Sequence, residues 1–328
     1  MRRRPERQTR LEDVAKAAGV SRSTASRVIS GSGPASPTAR ERVHSAARLL
    51  GYRPDQAARS LVNGSGFRVT LAVVGTTAQV LDDPYVHRAV AAAALTATSY
   101  DVGVSLQWVP RDAPRLDRLL ADRTVRGVVV LNTTEAALRS VPPTVRGRVA
   151  SVGIGSRTVP SFDVDNGGGA AAVLRHLYAT GRRRIAMVTG PAWLPCAQRP
   201  VKAYRDLMRA AGLPVRLVSG DFTAAGGRRA AGTILARWPE VDAVFGINDA
   251  AALGVLAALR AAGRQVPEDV AVAGFDDVEA AGLSDPGLTT ATNPVEQIIS
   301  SAVGAVLGET WVPPTTVFPS ALVRRASA

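Results

Sequence analysis

Leu11-Glu-Asp-Val-Ala-Lys-Ala-Ala-Gly-Val-Ser-Arg-Ser-Thr-Ala-Ser-Arg-Val-Ile-Ser30 is the stretch that decides how this chain begins to fold. Apolar residues recur in it at the three-to-four-residue spacing of an amphipathic helix, on both sides of Gly19. Gly19 is expected to end the first helix at Ala18, because glycine readily takes the left-handed conformation of a helix end. Ser21 is a natural N-cap for a second helix over 22–29. Two short helices joined by such a turn predict a helix-turn-helix unit.

The flanking residues predict where this unit begins and ends. Thr9 and Glu12 have the spacing of a capping box, which would start the first helix. Ser36 and Pro37 predict the N-cap and first residue of a third helix that ends at Gly51. A recognition helix contacts bases near its own start. The second helix is therefore expected to meet DNA through its outer face, with Arg22, Ser23, Ser26 and Arg27.

Basic charge is concentrated in the same part of the chain. The 328 residues include 40 basic and 27 acidic ones, a formal net charge of +13. Residues 1–66 contain thirteen basic and five acidic residues, a net of +8, so one fifth of the chain carries most of the excess. Nearly all the basic residues are arginines, which suit phosphate and guanine, although a GC-rich coding bias would give the same preference. The uneven distribution indicates a DNA-binding appendage on an ordinary globular body.

The composition excludes several classes of protein. A hydrophobic content of 46% is enough for folded domains and too high for a disordered chain. Cys196 is the only cysteine and the three histidines are far apart, so neither a disulfide framework nor a metal site is expected. No signal peptide or membrane-spanning stretch is visible, which predicts a cytoplasmic, nucleoid-associated protein. The familiar catalytic motifs are missing as well, which predicts a protein that is not an enzyme and uses no cofactor.

From Arg68 onward, β-branched stretches alternate with alanine-rich ones, which predicts parallel sheets covered by helices on both faces. Residues 69–160 and 161–290 each contain about one set, so we predict an α/β body of two doubly wound subdomains. Ligands of such sheets bind at the carboxyl ends of the strands, and two facing sheets therefore predict a cleft between them. The predicted strands are 69–74, 102–108, 127–131, 149–152, 185–189, 215–218, 243–247 and 270–275, and the predicted helices are 85–98, 168–180, 203–211, 224–237, 250–262 and 295–307.

Several polar and aromatic residues follow these predicted strands. Asn248, Asp276 and Arg199 suit a hydroxyl-rich ligand, because amides, carboxylates and guanidinium groups can pair with neighbouring hydroxyls. Phe222 or Tyr85 can cover the apolar face of a ring. Each polar residue has a plainer interpretation, since Asn248 could cap a helix and Asp276 could end a strand. Their placement after different strands favours convergence on one cleft.

The beginning of the chain resembles the DNA-binding headpiece of the LacI/GalR (lactose-repressor) family. The resemblance rests on Leu11–Ser30 and continues through Thr38–Val43 and Leu50–Pro54. It implies that Arg22 and Ser23 contact base edges in the major groove and that Arg27 contacts a base or a phosphate. The residues that would hold the DNA backbone are Ser21, Thr24, Ser26 and Tyr52.

Residues 54–62 match the hinge helix of that family. A helix of about eight residues is marginal in water, so it should be ordered only by a partner. The resemblance implies that this helix folds on DNA beside its copy from a second subunit. Ala58 and Leu61 would contact the minor groove there, with Leu61 wedged between base pairs. Asp55 replaces the usual asparagine of the family, and a plain flexible linker is the alternative interpretation.

The resemblance extends over nearly the whole chain. Asp163–Gly167, Asn248–Gly254 and Val266–Asp277 look like parts of the family's effector domain, whose fold is similar to that of periplasmic sugar-binding proteins. The family's usual cleft arginine falls on Pro200 here, so its role is transferred to Arg199. The resemblance adds further residues to the predicted cleft: Leu81, Asp83, Pro84, Asp163 and Asn293.

These observations predict an all-α helix-turn-helix headpiece (1–53), a hinge (54–66) and an effector-binding and dimerisation domain (67–328). The N-subdomain is expected at about 67–160 and 293–312, and the C-subdomain at about 161–292 and 313–328. The predicted function is a transcriptional regulator, a repressor, that binds a near-palindromic double-stranded DNA operator as a homodimer. Its affinity for that operator would depend on a small polar effector, a sugar first and a purine or nucleoside second. A transporter's solute-binding protein and a sugar-processing enzyme are the alternatives from other classes.

Overall fold

The computed structural model describes residues 9–30, 33–52, 67–145, 147–308 and 311–328. The chain divides into two compact units, Met1–Ser65 and Gly66–Ala328. The whole of the predicted hinge, 54–66, including Ala58 and Leu61, lies outside the described residues. Among the helices described, none is long and apolar enough to cross a membrane.

The first unit contains three helices, α1 (Leu11–Ala18), α2 (Arg22–Ser30) and α3 (Pro37–Leu49). Its small core is formed by apolar side chains from all three helices, so the predicted helix-turn-helix fold is confirmed. The predicted turn at Gly19 and the predicted starts of α2 and α3 are also confirmed, whereas α3 ends at Leu49, two residues before the predicted Gly51. Gly19 has φ 63°, the Ser21 hydroxyl accepts from the amide of Thr24 at 3.1 Å, and Ser36 caps α3. The buried core residues are Val14, Ala15, Ala18, Ala25, Val28, Val43, Ala46 and Ala47.

The predicted capping box at the start of α1 is wrong by one residue. Arg10, not Thr9, is the N-cap residue of α1. The backbone amide of Arg10 donates to the Asp13 carboxylate at 2.9 Å. The Thr9 hydroxyl instead donates to the carbonyl of Leu50, 3.0 Å away beyond the end of α3. Glu12 is therefore free to pair with Arg22. A long-range contact overrides the local spacing, since Thr9 finds its acceptor forty-one residues away.

The second unit contains two parallel sheets of unequal size. The larger has the order β11-β5-β4-β3-β1-β2 and the smaller the order β7-β6-β8-β9, while β10 and β12 form a short antiparallel pair. The strands of the larger sheet are β1 (Arg68–Gly75), β2 (Gly103–Pro110), β3 (Val125–Leu131), β4 (Val149–Val152), β5 (Ser161–Val164) and β11 (Thr315–Phe318). The others are β6 (Ile185–Thr189), β7 (Leu217–Ser219), β8 (Ala243–Gly246), β9 (Ala271–Ala273), β10 (Thr290–Ala291) and β12 (Leu322–Val323).

Helices cover both sheets, as the alternating pattern predicts. We call the larger sheet with its helices the first lobe and the smaller sheet with its helices the second lobe. In the first lobe, the helix Val295–Leu307 packs against the helix Pro84–Thr98. In the second lobe, the helices Ala224–Arg237 and Asp249–Ala261 pack against each other. The helices are α4 (Pro84–Thr98), α5 (Leu116–Ala121), α6 (Glu135–Arg139), α7 (Asn166–Ala179), α8 (Pro195–Ala210), α9 (Ala224–Arg237), α10 (Asp249–Ala261), α11 (Glu279–Leu283) and α12 (Val295–Leu307).

Glycine permits the close approach of α9 and α10. A Cβ added to Gly227 would lie 2.0 Å from the carbonyl oxygen of Ala251, and one added to Gly254 would lie 2.0 Å from that of Ala224. These distances are far inside van der Waals contact, so any side chain at either position would push the helices apart. The α9–α10 pair fixes the N-terminus of α10, where Asn248 and Asp249 lie.

Three predicted boundaries in the body are wrong. Ser161–Val164 and Thr315–Phe318 pair with each other in the first sheet, whereas both were expected in the C-subdomain. Each is only four residues long, and their partnership across 150 residues leaves no local periodic signal. Helix α8 starts at Pro195, eight residues before the predicted start at 203, with Pro200 inside it.

Candidate functional site: an exposed headpiece helix and an acidic cleft

Helix α2 presents polar and basic side chains on one face and buries Ala25 and Val28 on the other. Arg22 pairs with Glu12 at 2.6 Å, yet 71% of its side chain remains exposed. Arg27 donates to the carbonyl of Ser23 at 3.3 Å, which orients it along the helix surface. The outer face of α2 is therefore basic, polar and accessible, as a recognition helix requires. The predicted residues exposed on this unit are Ser21, Arg22, Ser23, Ser26 and Arg27, while Thr24 and Tyr52 are partly buried.

A cavity lies in the body between the two lobes. Apolar side chains, including Phe222 and Phe275, form part of its wall, and carboxylate and amide groups form the rest. Seven predicted effector residues line the cavity: Asp83, Tyr85, Asp163, Phe222, Asn248, Asp276 and Asn293.

The first lobe contributes side chains from the ends of its strands and the start of α4. The Asp83 carboxylate caps α4 by accepting from the amide of Tyr85 at 2.9 Å. Asp163, on β5, accepts from the amide of Val164 at 2.9 Å and from the Asn166 side chain at 3.1 Å, and it also forms an ion pair with Arg199. Both carboxylates are thus fixed by the backbone before any ligand arrives.

The second lobe contributes Asn248 and Phe222. Asn248 caps α10, since its Oδ1 accepts from the amide of Ala251 at 2.9 Å, and its Nδ2 donates to the carbonyl of Phe222 at 3.0 Å. Asn248 therefore caps a helix and also lines the cavity. Phe222 has φ 67°, and its ring lies over Gly190, where an added Cβ would be 2.8 Å from the ring.

Asp276 and Asn293 meet where the chain passes between the lobes. The Asn293 Nδ2 donates to the Asp276 carboxylate at 2.9 Å. Asp276 has φ 115°, a conformation rarely adopted outside glycine. The Asn293 side chain is 93% buried, and its Oδ1 has no hydrogen-bond partner among the residues that the structure describes. A buried acceptor without a donor is costly, so this oxygen is a ready contact for a ligand hydroxyl.

The electrostatic character of the cavity is acidic. Burial raises the pKa of Asp83, of Asp163 and, most strongly, of Asp276. Burial and the charges of Asp163 and Asp276 also raise the pKa of Tyr85 well above 10. These shifts share one cause. Removal from water destabilises the charged form of an acid, so its pKa rises unless a hydrogen-bond donor or a cation compensates the charge. The cavity therefore favours ligands that donate hydrogen bonds and disfavours anions.

The structure places some predicted effector residues elsewhere. Arg199 does not line the cavity, because its guanidinium lies against Asp163. Leu81 and Pro84 are also outside the lining, although they flank Asp83. Asn132 and Asn166 line the cavity and were not predicted, even though Asn132 directly follows strand β3. Cys196 lies in the lining too, and burial raises the pKa of its thiol to about 12, which disfavours the thiolate form at neutral pH.

Behind the cavity, Asp249 anchors the loop that carries Asp276. Its side chain is fully buried, accepting from the Thr290 hydroxyl at 2.5 Å and from the amide of Val278 at 2.9 Å. Its own amide donates to the carbonyl of Phe275 at 2.7 Å. Burial raises the pKa of Asp249 to about 7.

Known proteins resemble the chain over both units. Residues 10–55 match the family described as bacterial regulatory proteins, lacI family, and residues 174–328 match a periplasmic binding protein-like domain. The transcriptional regulator CelR of Thermobifida fusca is 36% identical over 345 residues, covering 99% of each chain. A solved CelR–cellobiose complex aligns with 32% identity and a TM-score of 0.70, covering 98% of this chain and 100% of that one. The Lac repressor dimer bound to operator and the anti-inducer ONPF aligns with 25% identity and a TM-score of 0.84, covering 98% and 99%.

Proposed function

The chain belongs to the lacI family of bacterial regulatory proteins. We propose that it is a repressor whose affinity for an operator changes when an uncharged sugar binds in the cavity of its body. As a member of that family it is a transcriptional regulator, and the headpiece excludes the alternative of a transporter's solute-binding protein. Its relatives regulate transcription rather than catalyse reactions.

The exposed face of α2 supports the proposed operator contacts. Arg22 and Ser23 would contact base edges, and Arg27 would contact a base or a phosphate. Ser21, Thr24, Ser26 and Tyr52 would hold the DNA backbone, and Ala58 and Leu61 would contact the minor groove. Two headpieces are needed to read a near-palindromic site, so the active form would be a homodimer. The net charge of +8 in residues 1–66 would add the phosphate attraction on which such binding depends.

The lining of the cavity is the observation that carries the effector assignment. Fixed carboxylates at Asp83, Asp163 and Asp276 accept hydrogen bonds from hydroxyls, and the unpaired Asn293 Oδ1 adds another acceptor. Phe222 offers a ring face for the apolar side of a pyranose. The Arg199 guanidinium is already paired with Asp163, and that of Arg88 is paired with Glu296. A cavity that offers hydrogen-bond acceptors but no unpaired guanidinium group suits a neutral polyol. A phosphorylated or carboxylated ligand would be repelled by the acidic side chains of the lining.

Cellobiose is the first probe, because the CelR relative was solved in complex with it. The test measures the fluorescence anisotropy of a labelled fragment from the gene's own promoter at about 50 mM salt, where phosphate contacts are strong. We expect nanomolar-range binding that weakens steeply with salt and changes at least about fivefold in the presence of cellobiose. An anisotropy that the protein does not raise at low salt would refute the proposed DNA contacts. Binding that no sugar or purine nucleoside alters would refute the effector role of the cavity.

The charge of the effector is tested by comparing cellobiose with cellobionate, its carboxylated derivative. The acidic lining predicts that the neutral sugar raises the melting temperature and the anion does not. An Asp276→Asn variant supplies the control, since removing one negative charge should narrow the difference between the two ligands. Equal stabilisation of the wild-type protein by both ligands would contradict the assignment.

A further inference from the structure

Arg88, on α4 of the first lobe, makes an unusual set of contacts. Its Nε and one terminal nitrogen donate to the two carboxylate oxygens of Glu296, each at 2.9 Å. Its terminal nitrogens also donate to the backbone carbonyls of Asp276 and Asn293, each at 3.1 Å. One guanidinium thus holds a carboxylate from α12 and two carbonyls from the chain segments that pass between the lobes.

The two carbonyls belong to the residue pair that faces the cavity. The side chains of Asp276 and Asn293 are hydrogen-bonded to each other and line the cavity, while their carbonyls point to Arg88. Asp276 follows the last strand of the second lobe, and its amide donates to the carbonyl of Ala291 at 2.8 Å. The same two residues therefore face the cavity with their side chains and Arg88 with their carbonyls, so a ligand that shifts their backbone also changes the contacts of Arg88.

Arg88 is in turn fixed to the first lobe. Glu296 lies in the first turn of α12, which packs against α4 and the first sheet. The Arg88 side chain is 27% exposed, so much of its charge is removed from water and its hydrogen bonds depend on geometry. The carboxylate of Glu296 pairs with two nitrogens of the guanidinium while the two carbonyls accept from its terminal nitrogens, an arrangement that lysine, a point charge without a planar fork, cannot reproduce.

We infer that Arg88, held by Glu296, is the positioning residue through which occupancy of the cavity at Asp276 and Asn293 changes the relation between the two lobes. The inference rests on the proposed function, because it assigns the regulation of the same cavity. It predicts that Arg88 is needed for the effector's influence on operator binding although it lines neither site.

The variants Arg88→Gln, Arg88→Lys and Glu296→Gln separate the contacts. Arg88→Gln removes both carbonyl bonds and the ion pair, Arg88→Lys keeps the charge but loses the fork, and Glu296→Gln keeps the carbonyl bonds but loosens their anchor. Arg126→Gln is the matched control, since Arg126 also donates to a backbone carbonyl, that of Leu307 at 3.0 Å, away from the cavity.

The measurements are the cellobiose dissociation constant, the ratio of operator affinities with and without cellobiose, and the melting temperature. Arg88→Gln and Arg88→Lys should weaken cellobiose binding roughly tenfold and bring the operator ratio close to one, the loss expected for charge-assisted hydrogen bonds to the ligand-bearing segment. Glu296→Gln should have a smaller effect of the same kind. Arg126→Gln should leave both affinities at wild-type values even where it lowers the melting temperature. A wild-type operator ratio in Arg88→Gln would overturn the inference.

A ligand-free measurement keeps this inference separate from the effector assignment. If the wild-type operator affinity does not respond to cellobiose, the effector assignment fails for that sugar. The role of Arg88 is then decided by amide hydrogen exchange in the free full-length protein. Arg88→Gln should speed exchange about tenfold in residues 275–278 and 291–295 relative to Arg126→Gln. Equal exchange in the two variants would overturn the inference.

Discussion

Replacement of Asp249 by asparagine should remove a large part of the pH dependence of stability. The fully buried carboxyl has a pKa of about 7, against an ordinary value of 3.8. Because the folded protein holds this proton more tightly than the unfolded chain, the stability contribution of the neutral acid is complete below about pH 4 and is lost as the pH rises through 7. A difference of about three pH units at ~1.4 kcal/mol each amounts to roughly 4 kcal/mol.

The assay is urea unfolding of the full chain between about pH 4.5 and 8, followed by tryptophan fluorescence. All four tryptophans lie in the body, so the signal reports on the unit that contains Asp249. The free energy of unfolding of the wild-type protein should fall relative to that of Asp249→Asn as the pH rises, by roughly 3 kcal/mol over this range, since it begins above the unfolded-state pKa. Glu279→Gln removes an exposed carboxylate and should track the wild type. A constant difference between wild type and Asp249→Asn would refute the reasoning.

Gly227→Ala should destabilise the body by about 1–3 kcal/mol, because the new methyl group would meet the Ala251 carbonyl, whereas Gly232→Ala on the open side of the same helix should stabilise it by about 0.5–1 kcal/mol. Urea midpoints compare the two, and equal effects would contradict the packing of α9 on α10. Tyr204→Phe should cost about 1–3 kcal/mol, since the buried hydroxyl is hydrogen-bonded at 2.8–2.9 Å to the backbone on both sides; an unchanged midpoint would oppose this. Arg22→Ala should weaken operator binding at least tenfold without changing the melting temperature of the body, and unaltered affinity would exclude a base contact.

The sequence predicts best where one local rule decides the structure. Gly19, Ser21 and Ser36 have short-range roles in turns and caps, and the structure confirms each of them. Helices 224–237 and 295–307 coincide with α9 and α12, because long alanine-rich or aliphatic runs are periodic over several turns. The Thr9 capping box fails because its hydroxyl has a tertiary partner at Leu50.

The cleft is only partly predictable, because its geometry depends on which distant strands become neighbours. Asn248 and Asp276 follow strands that the sequence reveals, and both line the cavity. Arg199 lies one residue from the expected position, and in the structure its charge is neutralised by Asp163 rather than offered to a ligand. The contacts of Arg88 are invisible in the sequence, since its partners are some 190–210 residues away.

We propose, above all, that the affinity of the headpiece for operator DNA depends on which ligand occupies the cavity of the body. The most direct test measures the cellobiose dissociation constant of the full chain by calorimetry, first alone and then saturated with operator DNA. Linkage requires the operator to change cellobiose affinity by the same factor by which cellobiose changes operator affinity, and we predict equal factors of at least about fivefold. Cellobiose that binds with the same affinity whether or not the operator is bound would contradict the claim.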